Sequence, residues 1–127
     1  MQRQKKIAGY EHPIARTKLY DVPAIEKARD LILKDPVSHI HIPMLADKVG
    51  INEFKLKVGF RELFQTSPYQ YRLHLCLERA KVLLEETDDT IDQIASRVGF
   101  DTYNGFSTAF KKAYGYAPTE YRNRQTA

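Results

Sequence analysis

The sequence predicts an all-α protein in which two helix-turn-helix subdomains are joined by a long connecting helix. Three observations predict this fold. Apolar residues recur with the period of a helix, a ten-residue pattern is present twice, and a long helical stretch separates the two copies.

The repeated pattern covers residues 42–51 and 91–100. In each copy, apolar residues at positions i, i+3, i+4 and i+7 form one face of a helix, and this face must be buried. Gly50 and Gly99 stand where the helix should end, because glycine adopts the left-handed backbone of a helix C-cap without a steric penalty. A sharp turn is expected after each glycine.

A second helix is predicted after each turn. Asn52 and Thr102 can cap these helices through their side-chain oxygens, and Thr90 with Gln93 predicts a capping box for the first helix of the second copy. Apolar pairs at i and i+4 return each second helix to the core, namely Leu56 with Phe60 and Phe106 with Phe110.

Helix, glycine turn and capped helix together form the unit with which helix-turn-helix proteins read DNA. Phe60 and Phe110 are 50 positions apart (110 − 60) and the two glycines 49 (99 − 50), so the second turn contains one extra residue. For one copy alone, a generic helical hairpin is the alternative. The same four features in both copies favour DNA binding.

The composition limits the kind of protein. With 127 residues, of which 43% are hydrophobic, the chain can bury one modest core or two small ones, which leaves little room for a sheltered active site. The net charge of +4 suits a partner that carries phosphate. Acidic residues crowd between the two copies, at Glu78, Glu85, Glu86, Asp88, Asp89 and Asp92, whereas basic residues lie in or beside the copies, at Lys48, Lys55, Lys57, Arg61, Lys111, Lys112, Arg122 and Arg124.

Several classes of protein are not expected. The single cysteine, Cys76, excludes an intrachain disulfide and is predicted to be a buried packing residue rather than a reactive thiol. No stretch approaches the roughly 20 apolar residues that span a bilayer. The four histidines are scattered and no catalytic motif is present. We therefore expect a cytoplasmic protein that is not an enzyme, holds no cofactor or metal and does not contact membranes.

Four segments are expected along the chain: a linker or N-terminal arm at 1–22, the first helix-turn-helix subdomain at 23–66, the connecting helix at 67–87 and the second subdomain at 88–127. A connecting helix of roughly 20 residues would span about 30 Å, close to the roughly 34 Å of one DNA turn. Two recognition helices at that separation are predicted to enter successive major grooves of one duplex.

Both copies also carry a resemblance to a known family. Its residues are Leu45-Ala46, Gly50, Phe60-Arg61 and Pro68 in the first copy, and Ile94-Ala95, Gly99-Phe100, Phe106, Phe110-Lys111-Lys112, Gly115, Pro118 and Tyr121-Arg122 in the second. Over roughly residues 24–124, the sequence resembles the DNA-binding domain of the AraC/XylS family of bacterial transcription regulators. The resemblance implies seven helices in two subdomains, and sequence-specific binding of double-stranded DNA that controls transcription initiation.

The resemblance also implies partners. Residues 50–60 resemble, over a short match, the siderophore-responsive regulators typified by the pyochelin regulator. Such proteins carry a separate effector-sensing domain, so we expect this chain to be a C-terminal fragment of a longer regulator, with a stand-alone member as the alternative. Any effector is expected to bind a domain that the chain lacks. RNA polymerase is a further expected partner. A helical protein-interaction module without its own sequence-specific DNA binding is the alternative function.

Three departures from the family pattern are visible. Gln65 stands where the first copy usually has glycine, so the helix is expected to close differently there. Asn104-Gly105 replaces the usual Ser-Tyr pair. Val58 and Thr108 occupy a place where arginine often reads a base, so guanine readout at those positions is lost.

The exposed first turns of the two recognition helices are predicted to face the major groove. The expected base contacts are Glu53, Phe54, Lys57 and Val58 in the first copy and Tyr103, Asn104, Ser107 and Thr108 in the second. A carboxylate can accept from cytosine, an ammonium can reach guanine, an asparagine can pair with adenine, and an aromatic ring can touch a thymine methyl. The alternative for Phe54 is packing in the core, and for Tyr103 it is packing in the core or in a hydrophobic staple. For Glu53 the alternative is a favourable charge at the helix N-terminus.

Phosphate contacts form the second predicted set, which comprises Asn52, Lys55, Arg61, Thr102, Lys111 and Lys112. Cations neutralise phosphate, and residues at helix starts lie beside outward-pointing amide hydrogens. A solvated surface charge is the alternative for any single lysine. Gly59 and Gly105 lie inside predicted helices at a cost of about 1 kcal/mol each relative to alanine. A close approach of protein or DNA would explain them, and so would a poorly optimised helix.

Overall fold

The computed structural model describes residues 17–126, without the side chain of the last of these. A short 3-10 turn at Leu19–Asp21 precedes seven α-helices, which are α1 (Val22–Lys34), α2 (Ile42–Val49), α3 (Glu53–Phe64), α4 (Pro68–Glu86), α5 (Ile91–Arg97), α6 (Tyr103–Tyr114) and α7 (Pro118–Thr126). No strand is present in this part of the chain. The predicted all-α fold with two helix-turn-helix motifs is confirmed.

The described chain divides into two compact units. The first comprises residues 17–30 and His41–Pro68 and contains the α2–α3 motif. The second comprises Leu31–Ile40 and the chain from Tyr69 onward, and contains the α5–α6 motif. The helix predicted as a connector is α4, and from Tyr69 on it belongs to the second unit. The predicted domain boundaries stay a prediction, and residues 1–16 of the predicted arm lie outside the described residues.

In the first unit, the packing of α1 against α3 explains one of the helical glycines. Ile25 on α1 and Leu56 and Phe60 on α3 are all fully buried. A Cβ atom on Gly59 would lie 2.1 Å from Ile25 Cδ1, which is far inside van der Waals contact. The absence of a side chain at Gly59 therefore leaves room for Ile25 where α1 packs against α3. The predicted close approach at this glycine is an approach of protein.

The second unit has a continuous apolar core. Residues of α4, α5 and α6 form one buried cluster that includes Leu77, Ile94, Phe106 and Phe110. Cys76 belongs to this cluster, is 1% exposed, and its Sγ donates a hydrogen bond to the carbonyl oxygen of Pro36 at 3.1 Å. Burial raises the pKa of this thiol above its usual value. The predicted packing role of Cys76 is confirmed.

The predicted turn glycines and helix caps are present. Gly50 and Gly99 have φ angles of 80° and 93°. Asn52 Oδ1 accepts from the amide of Lys55 at 2.8 Å, and Thr102 Oγ1 accepts from the amide of Gly105 at 3.0 Å. Both N-caps of the second helices therefore lie where the sequence predicts them, as does the Thr90–Gln93 capping box.

The expectation that α3 closes differently at Gln65 is wrong. Gln65 has a φ of 58°, the same left-handed conformation as Gly115, which ends α6 with a φ of 85°. In both cases the amide of the C-cap residue donates to the carbonyl four positions earlier. The Gln65 side chain adds a bond from Nε2 to the Glu62 carbonyl at 3.0 Å. Glutamine thus occupies a backbone position at which glycine is favoured.

Two arginines hold the loops that precede α2 and α5. Arg72 Nη2 donates to the carbonyl oxygen of Val37 at 2.9 Å, and Arg122 Nη2 donates to that of Thr87 at 3.0 Å. In each case the donor lies 35 residues after the acceptor (72 − 37 and 122 − 87). Each guanidinium also bonds neighbouring carbonyls, those of Ser38 and of Leu84 and Asp89 respectively. The hydrogen bond from Arg72 to Val37 in the first half of the repeat therefore has a counterpart from Arg122 to Thr87 in the second.

Candidate nucleic-acid interface

The predicted reading face of α3 is at the protein surface. Glu53, Phe54 and Lys57 are exposed, and Val58 is half-buried. Phe54 is 61% exposed, so its alternative role in the core is wrong. These four residues occupy positions i, i+1, i+4 and i+5 and thus share one side of the helix. The opposite side carries Leu56 and the other core residues.

The predicted reading face of α6 has the same arrangement. Tyr103, Asn104 and Thr108 are exposed, and Ser107 is half-buried. Tyr103 is 42% exposed, which also removes the alternative of core packing for this ring. All four positions lie 50 residues after their counterparts on α3 (103 − 53). Each unit therefore presents two neighbouring turns of polar and aromatic side chains to solvent.

Gly105, the second helical glycine, differs from Gly59. It is exposed, and a Cβ there would meet only the Oγ1 atom of Thr102, at 3.0 Å. No other part of the described protein packs on Gly105. The surface beside Asn104 is consequently open to the close approach of another molecule.

Two residues that are predicted to contact phosphate lie at helix N-termini, and the side-chain oxygen of each already caps its own helix. Asn52 and Thr102 are exposed, and their side-chain oxygens accept from amides of the first turn. Because asparagine keeps its two amide hydrogens and threonine its hydroxyl hydrogen, both can still donate to a phosphate oxygen. Capping and phosphate binding are compatible at these two positions.

The predicted phosphate-binding cations differ in their surroundings. Arg61 on α3 and Lys111 and Lys112 on α6 are exposed. Lys55 is half-buried, and its Nζ lies 3.7 Å from the carboxylate of Asp21, a residue whose side chain is 6% exposed. The same ammonium lies 5.6 Å from the centroid of the Tyr20 ring. Lys55 is therefore part of an internal ion pair, unlike the other three cations.

Sequence reasoning missed Asp21 and also the role of Arg122. Asp21 lay within the predicted arm, where no periodicity pointed to burial. Arg122 was grouped with the basic surface, whereas its guanidinium is bonded to three main-chain carbonyls. The repeated Pro-x-x-Tyr-Arg of residues 68–72 and 118–122 was a signal that could have indicated a shared structural role. The adjacent Tyr121 donates to Glu85, and this hydrogen bond raises the pKa of Tyr121 to about 12.

Residues 17–126 contain neither a candidate metal site nor a helix suited to a membrane. No group of three or more histidine, cysteine, aspartate or glutamate side chains there could hold a metal ion. None of the helices in that range combines the length and the apolar composition that crossing a bilayer requires.

Two helix-turn-helix motifs, each with a capped second helix and an exposed polar face, define a DNA-binding protein with two reading elements. Comparison with known proteins gives the family. Residues 45–124 match the family described as the helix-turn-helix domain. The chain belongs to this family, as a DNA-binding domain of the AraC type found in transcription regulators. This family consists of DNA-binding regulators and not of enzymes.

Individual relatives agree with this placement. An AraC-like transcription regulator of Streptomyces lividans is 28% identical over 82% of this chain and 34% of its own length. The C-terminal domain of AraT, a response regulator from Geobacillus stearothermophilus, superimposes with a TM-score of 0.75 at 33% identity, over 80% of this chain and 85% of that domain.

An AraC-type DNA-binding protein from Chromobacterium violaceum superimposes with a TM-score of 0.73 at 27% identity, over 85% of this chain and 96% of that one. The chain spans less than half the length of the first curated relatives that it matches.

Proposed function

We propose that α3 and α6 are two recognition helices that enter successive major grooves of one DNA duplex, and that this binding controls transcription initiation. The observation that carries the proposal is the pair of exposed faces, 53–58 on α3 and 103–108 on α6, which repeat position by position. A helix fits the major groove, where each base pair presents a distinct pattern of donors and acceptors. With 19 residues, α4 is about 28 Å long, which is close to one turn of DNA.

Base readout is assigned to the residues on these two faces. Asn104 can pair with adenine, because its amide supplies one donor and one acceptor to the N6 and N7 edge. Lys57 can donate to guanine, and Glu53 can accept from the cytosine amino group. Phe54 can contact a thymine methyl. The remaining groove-facing residues of this proposal are Val58, Tyr103, Ser107 and Thr108.

Phosphate contacts are assigned to the flanks of the same helices. Arg61, Lys111 and Lys112 supply exposed charge, and Asn52 and Thr102 supply donors beside the helix N-termini. These contacts bind any sequence and set the position of the reading helices on the duplex. Lys55, the remaining member of the predicted phosphate set, is paired with Asp21, and we assign it no phosphate contact while that ion pair is closed.

Two substitutions on α6 separate base contacts from phosphate contacts. We expect Asn104→Ala to change the relative affinities for operator variants by about 1–3 kcal/mol at one base pair, because it removes a bidentate contact. We expect Lys111→Ala to weaken binding to all duplexes about equally and to lower the salt slope by roughly one.

The measurement is the dissociation constant for a set of operator variants, selected first from random duplexes, at several salt concentrations. Lys81→Ala is the matched control for Lys111→Ala, because the Lys81 ammonium lies on the ring of Tyr114, 4.7 Å from its centroid. Unchanged relative affinities across the variants with Asn104→Ala would contradict the base assignment. An unchanged salt slope with Lys111→Ala would contradict the phosphate assignment.

We place the protein in the cytoplasm, where it has access to DNA, and we propose RNA polymerase as a partner. Because the curated relatives are at least twice as long as the part matched here, we propose that an effector, if one exists, binds a domain outside this chain.

A further inference from the structure

A short segment before α1 runs along α3, the proposed first recognition helix. We call residues 17–21 the strap. At one end, the amide of Thr17 donates to Glu62 Oε1 at 2.8 Å, and the Thr17 hydroxyl donates to the same oxygen. At the other end, the Asp21 carboxylate lies 3.7 Å from Lys55 Nζ. The two anchoring residues on α3 are seven positions apart (62 − 55), or about two helical turns.

The surface of α3 is shaped for this segment. A Cβ on Gly59, between the two anchoring points, would lie 3.2 Å from Thr17 Oγ1, so the missing side chain leaves room for the strap. Thr17 and Asp21 line a small pocket together with Phe54, Lys55 and Val58. The strap therefore borders residues that are assigned to DNA contact.

At this end of the strap, DNA phosphate would compete with the Asp21 carboxylate for the Lys55 ammonium. Asp21 is 5% exposed, and a buried carboxylate is costly unless a cation remains beside it. Lys55, with a side chain that is 42% exposed, supplies this cation. If its ammonium moved to a DNA phosphate, Asp21 would be left buried and without its partner. Because the charges of Lys55 and Asp21 cancel, the ion pair as a whole does not attract DNA phosphate.

We infer that Asp21 is a positioning residue that withholds the Lys55 ammonium from DNA phosphate, so that the strap lowers the affinity of the first unit for any duplex. Displacement of the strap would then free one additional phosphate-binding cation. The inference rests on the proposed DNA binding by α3.

A double-mutant cycle tests this inference. We expect Asp21→Asn to raise the magnitude of the salt slope of duplex binding by about 0.9, the value for one added phosphate contact. At about 0.1 M salt this corresponds to a gain in affinity of roughly fivefold to tenfold, which shrinks as salt rises. In a Lys55→Gln background, Asp21→Asn should leave the slope unchanged. The binding measurements use a fixed operator duplex and an unrelated duplex, both of which should respond alike.

Two controls make the cycle specific. Asp47→Asn removes the same charge from an exposed position on α2 and should not change the slope. Lys55→Gln in the otherwise unchanged protein should alter the slope by much less than one, whereas Arg61→Gln should lower it by about one. Lys55→Gln also tests the inference independently if Asp21→Asn weakens the fold, which thermal unfolding of each variant would reveal.

Three results would overturn the inference. The first is an equal change of the salt slope with Asp21→Asn and with Asp47→Asn. The second is an increase of the slope with Asp21→Asn that persists in the Lys55→Gln background. The third is a decrease of the slope by about one with Lys55→Gln alone. If the unsubstituted protein showed no salt-dependent binding to either duplex, the proposed DNA-binding function itself would fail, which is a different outcome.

Discussion

Gln65 and Gly115 occupy equivalent positions 50 residues apart (115 − 65), and both have left-handed backbones. An L-residue pays roughly 1–2 kcal/mol in this conformation, because its Cβ approaches the following carbonyl oxygen. A Cβ at Gly115 would have no neighbour within 4 Å, so only the backbone conformation favours glycine there. The two helix ends thus differ in sequence but not in conformation.

Exchanging the residue types should therefore have opposite effects. We expect Gly115→Gln to lower the free energy of unfolding by about 1 kcal/mol. Gln65→Gly should raise it by less than about 1 kcal/mol, since glycine relieves the backbone but loses the side-chain bond to Glu62 and gains entropy in the unfolded chain. Urea unfolding followed by circular dichroism measures both. A loss of stability with Gln65→Gly would show that the side-chain bond outweighs the backbone strain.

At the scale of elements, the two helix-turn-helix motifs share a left-handed glycine in the turn but differ in what surrounds that glycine. Gly50 and Gly99 both have positive φ angles. A Cβ on Gly50 would meet nothing within 4 Å, whereas one on Gly99 would lie 2.7 Å from the Val37 carbonyl oxygen and 2.8 Å from Arg72 Nη2. The second turn therefore packs closely against the loop that Arg72 holds.

We expect Gly50→Ala to cost about 1–2 kcal/mol from the backbone alone. Gly99→Ala should cost at least about 1 kcal/mol more, because the new methyl group displaces a main-chain carbonyl and its guanidinium donor. The free energy of unfolding in urea provides the comparison, with each variant serving as the control for the other. Equal costs would mean that the loop at Val37 moves aside without penalty.

At the scale of the whole molecule, the duplication supplies two reading helices in one chain. A second binding event within the same complex occurs at a high effective concentration, which commonly raises affinity by 10²–10⁴-fold. The benefit requires that both half-sites face the same side of the duplex. Since one DNA turn is about 10–10.5 base pairs, a shift of half a turn places the second half-site on the opposite side.

A change in the operator tests this property without altering the protein. We expect the insertion of five base pairs between the two half-sites to lower affinity by about 10²-fold, to the level of a duplex that carries one half-site. The control is a duplex of equal length in which the second half-site is scrambled. Electrophoretic mobility shift titrations measure all three duplexes. Full affinity for the lengthened operator would contradict simultaneous reading by α3 and α6.

Most of the fold was predictable from the sequence, because its signals act over a few residues. The apolar periodicity, the glycines at 50 and 99 and the caps at Asn52 and Thr102 each depend on backbone geometry within one or two turns. The phenylalanines at 60 and 110 were recognisable as core residues for the same reason. The candidate reading faces followed once the buried sides of these helices were known.

By itself, the sequence determined the helices, the turns, the duplication and the family resemblance. Only the tertiary structure decided which polar groups are already engaged. It pairs Lys55 with Asp21, bonds Thr17 to Glu62 and directs Arg72 to the Val37 carbonyl. The partners in these contacts are 34 to 45 positions apart, so no local sequence pattern predicts them. Periodicity predicts which side of a helix is buried, but the partner of a buried charge depends on which distant segment the fold brings beside it.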